Sequence, residues 1–114
     1  MAAKKLYLKG CVFERTVKAK LEEDGWTVIR SAGSKKPDLV AAKDRKVIVI
    51  ECKSTKGSIV YLDEKEVDNL EKTAQQFGAE CLFAIKHVKN KNWFIVALEN
   101  LEKTGKKYRI KLNV

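Results

Sequence analysis

The stretch PDLVAAKDRKVIVIECK, from Pro37 to Lys53, decides the fold. Two runs rich in strand formers, Asp38–Ala42 and Lys46–Lys53, flank Asp44-Arg45, a dipeptide suited to a tight turn. If Lys43 faces Lys46 across that turn, Ala42 falls opposite Val47, Val40 opposite Val49, and Asp38 opposite Glu51. Side chains alternate between the two faces of a strand. Asp38, Val40 and Ala42 therefore share a face with Val47, Val49, Glu51 and Lys53. Two carboxylates and an ammonium converge at one end of an otherwise apolar surface.

Like charges directly opposite each other destabilise a sheet. At ~5 Å and an effective dielectric of ~20 the repulsion is about 3 kcal/mol. A divalent cation between the two carboxylates offsets it, and Lys53 lies close enough to reach the same ligand shell. The competing reading is a pair of solvated strand ends neutralised by Lys53.

Upstream, Lys9 to Gly25 reads as a helix, with Phe13, Val17 and Leu21 at four-residue spacing and Gly25 as its stop. Glu14 joins the inward stripe with Val17 and Leu21, which aims a third carboxylate at the pair. Arg15 beside it can reach a phosphate or hold a partner acid. A strand at Trp26–Arg30 and the loop from Ser31 to Pro37 lead into the hairpin.

Downstream, Ser54–Val60 reads as a polar loop. A second helix runs from about Glu64 to Phe77, with Asp63 and Glu66 forming a capping-box-like start and Gly78 as its stop. Its apolar stripe is Val67, Leu70, Ala74 and Phe77. Strands follow at Glu80–Val88 and Trp93–Leu98, then a helical turn at Leu101–Thr104 and a basic strand at Lys106–Leu112. The order α-β-β-β-α-β-β-β gives an α/β class: one domain over residues 1–114, with a central mixed sheet flanked by helices.

Twenty-four Lys and Arg against fifteen Asp and Glu leave a net charge of +9 and a pI near 9.5. That balance on a small domain favours a polyanion, nucleic acid foremost. Lys35 and Lys36 sit in the loop beside the acids, and Lys106, Lys107, Arg109 and Lys111 are weaker candidates for phosphate contacts. Cys11, Cys52 and Cys81 are odd in number and make no CxxC pair, which argues against a disulfide framework and a structural zinc site. All three read as buried thiols. The longest apolar run, Val47 to Ile50, is far short of the ~18 residues of a membrane span. With no apolar leader at the N-terminus, a cytoplasmic location is expected. His87, the sole histidine, reads as a surface or boundary residue. Trp26, Trp93 and Phe94 read as core rather than base-stacking platforms.

Pro37-Asp38, twelve residues, then Glu51-Cys52-Lys53 resemble the core of the PD-(D/E)xK nuclease superfamily. The surroundings are similar to the archaeal Holliday junction resolvase family over roughly residues 9–88. They comprise Lys9-Gly10 with Glu14-Arg15, Arg30 with the loop Ser31-Ala32-Gly33-Ser34, Phe77-Gly78-Ala79, and Leu82 to Lys86. The resemblance implies a restriction-endonuclease-like fold and a homodimeric, Mg²⁺-dependent endonuclease that cuts four-way DNA junctions symmetrically. It implies Glu14, Asp38 and Glu51 as metal-binding acids, Lys53 as the catalytic lysine, and Ser34 as a serine near the active site. Arg15 and Arg30 would be essential basic residues. Cys52 replaces a usual aliphatic residue and should point to the opposite face from Glu51. Thr73 stands where some members carry an aromatic residue on a helix expected at the dimer surface. Another DNA nuclease of the superfamily, of restriction or repair type, would use the same residues. A non-catalytic basic nucleic-acid-binding protein would have no reason to group Glu14, Asp38, Glu51 and Lys53.

Overall fold

The structure, a computed structural model, describes residues 2–32 and 36–112, with side chains from residue 12 onward. The hairpin forms as its alternation requires. Strand β2 (Leu39–Lys43) runs antiparallel to β3 (Lys46–Thr55), with Val40 paired to Val49, Ala42 to Val47 and Lys43 to Lys46. Asp44 and Arg45 both take positive φ, at 49° and 70°. That handedness matches the twist of the flanking strands.

Around this hairpin a five-stranded mixed sheet is ordered β1-β2-β3-β5-β6. Strand β1 (Thr27–Arg30) pairs antiparallel with β2, β5 (Glu80–His87) runs parallel to β3, and β6 (Trp93–Ala97) returns antiparallel to β5. A parallel neighbour needs a long crossover, and β4 (Ile59–Asp63) with helix α2 (Glu64–Gln76) supplies it. Helix α1 (Ala2–Glu23) covers one face through Phe13, Val17 and Leu21, which pack on Val28, Leu39, Ala41, Ile48, Ile50 and Ala84. The other face carries Val49, Phe83 and Ile85 beneath Val67, Leu70 and Ala74 of α2. The architecture is thus the α/β one read from the sequence, a mixed sheet between helices.

Several local expectations change. The first helix starts at Ala2 rather than near Lys9, because Ala, Lys and Leu before Gly10 propagate it and Gly10 alone does not break it. The supposed loop at Ser54–Val60 is mostly strand: β3 continues to Thr55 and β4 begins at Ile59. The supposed helical turn at Leu101–Thr104 is replaced by a 3-10 turn at Leu98–Asn100 and by strand β7 (Glu102–Thr104). Both strands belong to a second sheet, ordered β4-β8-β7, built on β8 (Lys107–Lys111). Val60, Leu62 and Ile110 from that sheet are buried in the α2-side core. The pairing joins residues some fifty positions apart, which local pattern cannot show. Finally, His87 is buried, 7% exposed, and its Nδ1 accepts the Asn90 N–H at 3.4 Å. Trp26 and Trp93 border the α1-side core as expected, whereas Phe94 is 39% exposed. Cys81 is buried, Cys52 half-buried, and the Cys11 side chain lies outside the described residues.

Candidate active site

Pro37 is fully buried and fixes the chain as it enters β2. The carbonyl of Asp38 accepts the Ser31 N–H at 2.9 Å. The Asp38 carboxylate then takes over where the β2 ladder ends: Oδ2 accepts the Cys52 N–H at 2.8 Å. This places Asp38 against the Glu51–Lys53 segment of β3, as the hairpin register requires.

Glu51 is half-buried and hydrogen-bonds the Asp38 side chain. Burial, followed by the hydrogen bond and the negative charge of Asp38, pushes its carboxyl up to about 9, against a smaller opposing pull from Lys53. Two oxygen-donor groups meet here, and one of them resists ionisation beside the other. Hard oxygen ligands whose charges repel are the donor set that a magnesium-like cation suits. The residues present fit such an ion.

Lys53 lies on the same face and forms an ion pair with Glu66, Nζ to Oε1 2.5 Å. Burial opposes the charge on Lys53, but Glu66, Glu51 and Asp38 together hold its pKa above the ordinary value. The sequence marks Glu66 only as a helix cap. Asp63 does occupy the N-cap position of α2 but makes no side-chain capping bond. The carboxylate of Glu66 has turned to Lys53 instead of back to its own helix. A signal exists in the chain: an acid in the first turn of the helix that covers the Glu51–Lys53 face.

Glu14 stands on α1, on the other side of the sheet from Glu51. It binds the Arg30 guanidinium, Nε to Oε2 2.7 Å, and so ties α1 to the end of β1. Cys52 points toward α1, opposite Glu51, as alternation requires. Its thiol is pushed well above the ordinary range by burial first, then by Asp38, Glu14 and Glu51. All three acids thus act on this one side chain. Among the described residues, no three His, Cys, Asp or Glu side chains gather in metal-ligating geometry. Asp38 and Glu51 meet directly; Glu14 stands across Cys52 with Arg30.

Arg15 is exposed on α1. Lys36 is exposed and borders a shallow hollow with Thr73 and Phe77 at the end of α2. Phe77, expected in the core stripe, is 54% exposed. Ser34 and Lys35 lie outside the described residues. No helix among the described residues is long and apolar enough to cross a membrane.

A family model described as archaeal Holliday junction resolvase (Hjc) matches residues 5–114. The chain is 40% identical over 80 residues to the crossover junction endodeoxyribonuclease Hjc of Methanocaldococcus jannaschii, covering 70% of this chain and 60% of that protein. It is 37% identical over 107 residues to the protein of the same name from Archaeoglobus fulgidus, covering 90% of this chain and 78% of the relative. The solved structure of Archaeoglobus fulgidus Hjc, a Holliday junction resolvase from an archaeal hyperthermophile, superposes with a TM-score of 0.83 at 37% identity. That match covers 90% of this chain and 84% of that one.

Proposed function

The chain belongs to the archaeal Holliday junction resolvase family, and on that premise we propose that it is a structure-selective endodeoxyribonuclease resolving four-way DNA junctions by paired, metal-dependent phosphodiester hydrolysis. The observation that carries this reading is the Asp38–Glu51 carboxyl pair with Lys53 on the same face. The nuclease domain is residues 1–114, and it works on DNA in the cytoplasm, at the nucleoid.

Asp38 and Glu51 would hold Mg²⁺, with Glu14 serving the same ion from the α1 side. Bound there, the ion supplies charge neutralisation at the phosphoryl oxygens and lowers the pKa of the attacking water. Lys53 presents its ammonium to the charge that develops at the phosphate. Glu66 holds that ammonium in place, so the lysine needs no reorientation when the phosphate arrives. Arg30 fixes Glu14. Ser34, four residues before Asp38 in the sequence, would serve the reacting phosphate, as the family resemblance implies. Arg15, Lys35 and Lys36 contact flanking phosphates. A junction is resolved by two cuts on opposing strands, which calls for two active sites, and a twofold homodimer provides them.

The test uses a synthetic four-way junction and a linear duplex of the same sequence, each incubated with Mg²⁺ and with EDTA. Symmetric cuts in the junction alone, and only with Mg²⁺, are expected. Equal cutting of both substrates would overturn junction selectivity, and cutting in EDTA would overturn the metal requirement.

A further inference from the structure

A cleft of about 620 Å³ opens beside Glu14 and Cys52, at the ends of β3 and β5. These two strands form the parallel pair of the sheet, and their register sets Thr55 beside His87. Both chains therefore leave the sheet at the same level and on the same side. Crevices outside the carboxyl ends of parallel strands are where open α/β sheets bind ligands.

The cleft is built rather than loose. The Val88 N–H donates to the Thr55 carbonyl at 2.9 Å and joins the two strand ends. The following turn closes through His87 N–H to Asn92 carbonyl and Lys91 N–H to His87 carbonyl, both 2.9 Å. Lys91 is held in the left-handed region, φ 61°. On the floor, the Lys86 ammonium rests 5.8 Å from the centre of the Phe13 ring.

The lining is strongly cationic. Lys56, Lys86 and Lys91 face it, Lys53 borders it with its ammonium held by Glu66 on the α2 side, and among the described residues Glu14 is the one carboxylate in the lining. That carboxylate is already bound by Arg30. Val12 and Val88 flank the lysines, 55% and 37% exposed. Cations spaced along an apolar trough suit a chain of phosphates joined by sugars. They suit an acidic peptide less, since none of the described lining residues belongs to an edge strand of the sheet.

We infer that this cleft is the track for the DNA strand leading to the scissile phosphate, with Lys56 and Lys91 at its mouth contacting phosphates beyond the reacting one. The inference rests on the nuclease reading and adds to it the path of the substrate strand. Val12 and Val88 pack against the sugars between those phosphates.

The experiment is fluorescence anisotropy with a labelled four-way junction and a linear duplex, in EDTA and over a series of salt concentrations. The variant is Lys56→Gln with Lys91→Asn, since Asn tolerates the left-handed backbone. The control is Lys18→Gln with Lys20→Gln, which removes equal charge from the far turns of α1. Thermal melting verifies that both are folded. The cleft variant is expected to bind at least about 10-fold more weakly, with a log–log salt slope shallower by about 2, because each lost lysine–phosphate contact removes ~0.9. If its affinity and slope match the control's, the track is elsewhere. Wild-type protein that binds junction and duplex alike overturns junction selectivity only. In that case the change in slope on duplex still decides the cleft. Wild-type protein that binds neither DNA overturns both.

Discussion

Lys53 on β3 and Glu66 in the first turn of α2 form an ion pair of 2.5 Å across the interface between sheet and helix. Both side chains are about one-third exposed, 32% and 33%. A pair this accessible contributes about 0–1 kcal/mol to folding. Its consequence is positional: the lysine of the site is aimed by a helix that the sheet itself does not contain.

Glu66→Gln should therefore slow cleavage at saturating Mg²⁺ by about 10-fold or more, as a displaced catalytic group does, with junction affinity unchanged. Glu66→Asp should recover part of the rate. Melting should move by no more than the few degrees that ~1 kcal/mol produces. Single-turnover rates measured beside anisotropy and thermal melts check it. A rate loss matched by an equal stability loss would make Glu66 merely structural.

Asp38→Asn and Glu51→Gln should each lower cleavage by at least ~10² while junction binding stays within a few-fold, because phosphate contacts by lysines dominate affinity. In Asp38→Asn the side-chain amide keeps an oxygen that can accept the Cys52 N–H, so the fold is kept. Gel-shift and cleavage assays on the same preparations decide this. Parallel loss of both activities in a folded variant would contradict the separation.

Without metal, Glu51 makes stability depend on pH in a definite direction. Its ordinary value is 4.5 and its folded value is about 9. Below 4.5 both states carry the proton. Between the two values the unfolded chain has lost it and the folded chain keeps it, so folding weakens as pH rises through this window. In EDTA, Glu51→Gln should therefore melt higher than wild type at about pH 8, by about 4 °C or more for each kcal/mol relieved. The gap should shrink toward about pH 5. Mg²⁺ should raise the melting temperature of wild type at the higher pH and leave Glu51→Gln unchanged. Calorimetric scans at both pH values, with and without the ion, provide the check.

Glu14→Gln should reduce Mg²⁺-dependent cleavage by about 10-fold, partly by releasing Arg30. Glu22→Gln on the same helix, which breaks only the exposed Lys18 pair, should cut at the wild-type rate. If both variants cut equally fast at every Mg²⁺ concentration, α1 takes no part in the chemistry.

The hairpin is legible from the chain alone because its determinants are local. Two-residue alternation and the Asp44-Arg45 turn dictate which residues face each other, and from Val40 opposite Val49 the meeting of Asp38 with Glu51 follows. The inward stripes of α1 and α2 are legible for the same reason, since helical period and burial coincide at Val17, Leu21, Val67 and Leu70. What tertiary structure alone decided involves partners far apart in sequence. Ile59–Asp63 becomes a strand only because β8 pairs with it, so its polar leader reads locally as loop. His87 is buried by the turn that follows it and by its neighbours in the sheet. Glu66 satisfies every local rule for capping its own helix, yet packing of α2 over β3 brings Lys53 within reach, and an ammonium attracts a carboxylate more strongly than a backbone N–H does. The cationic cleft likewise exists only because the parallel register of β3 and β5 brings Lys56 and Lys91 to one opening. Periodicity carries information over a few residues; a register between strands separated by a crossover is set by the burial that the whole fold achieves.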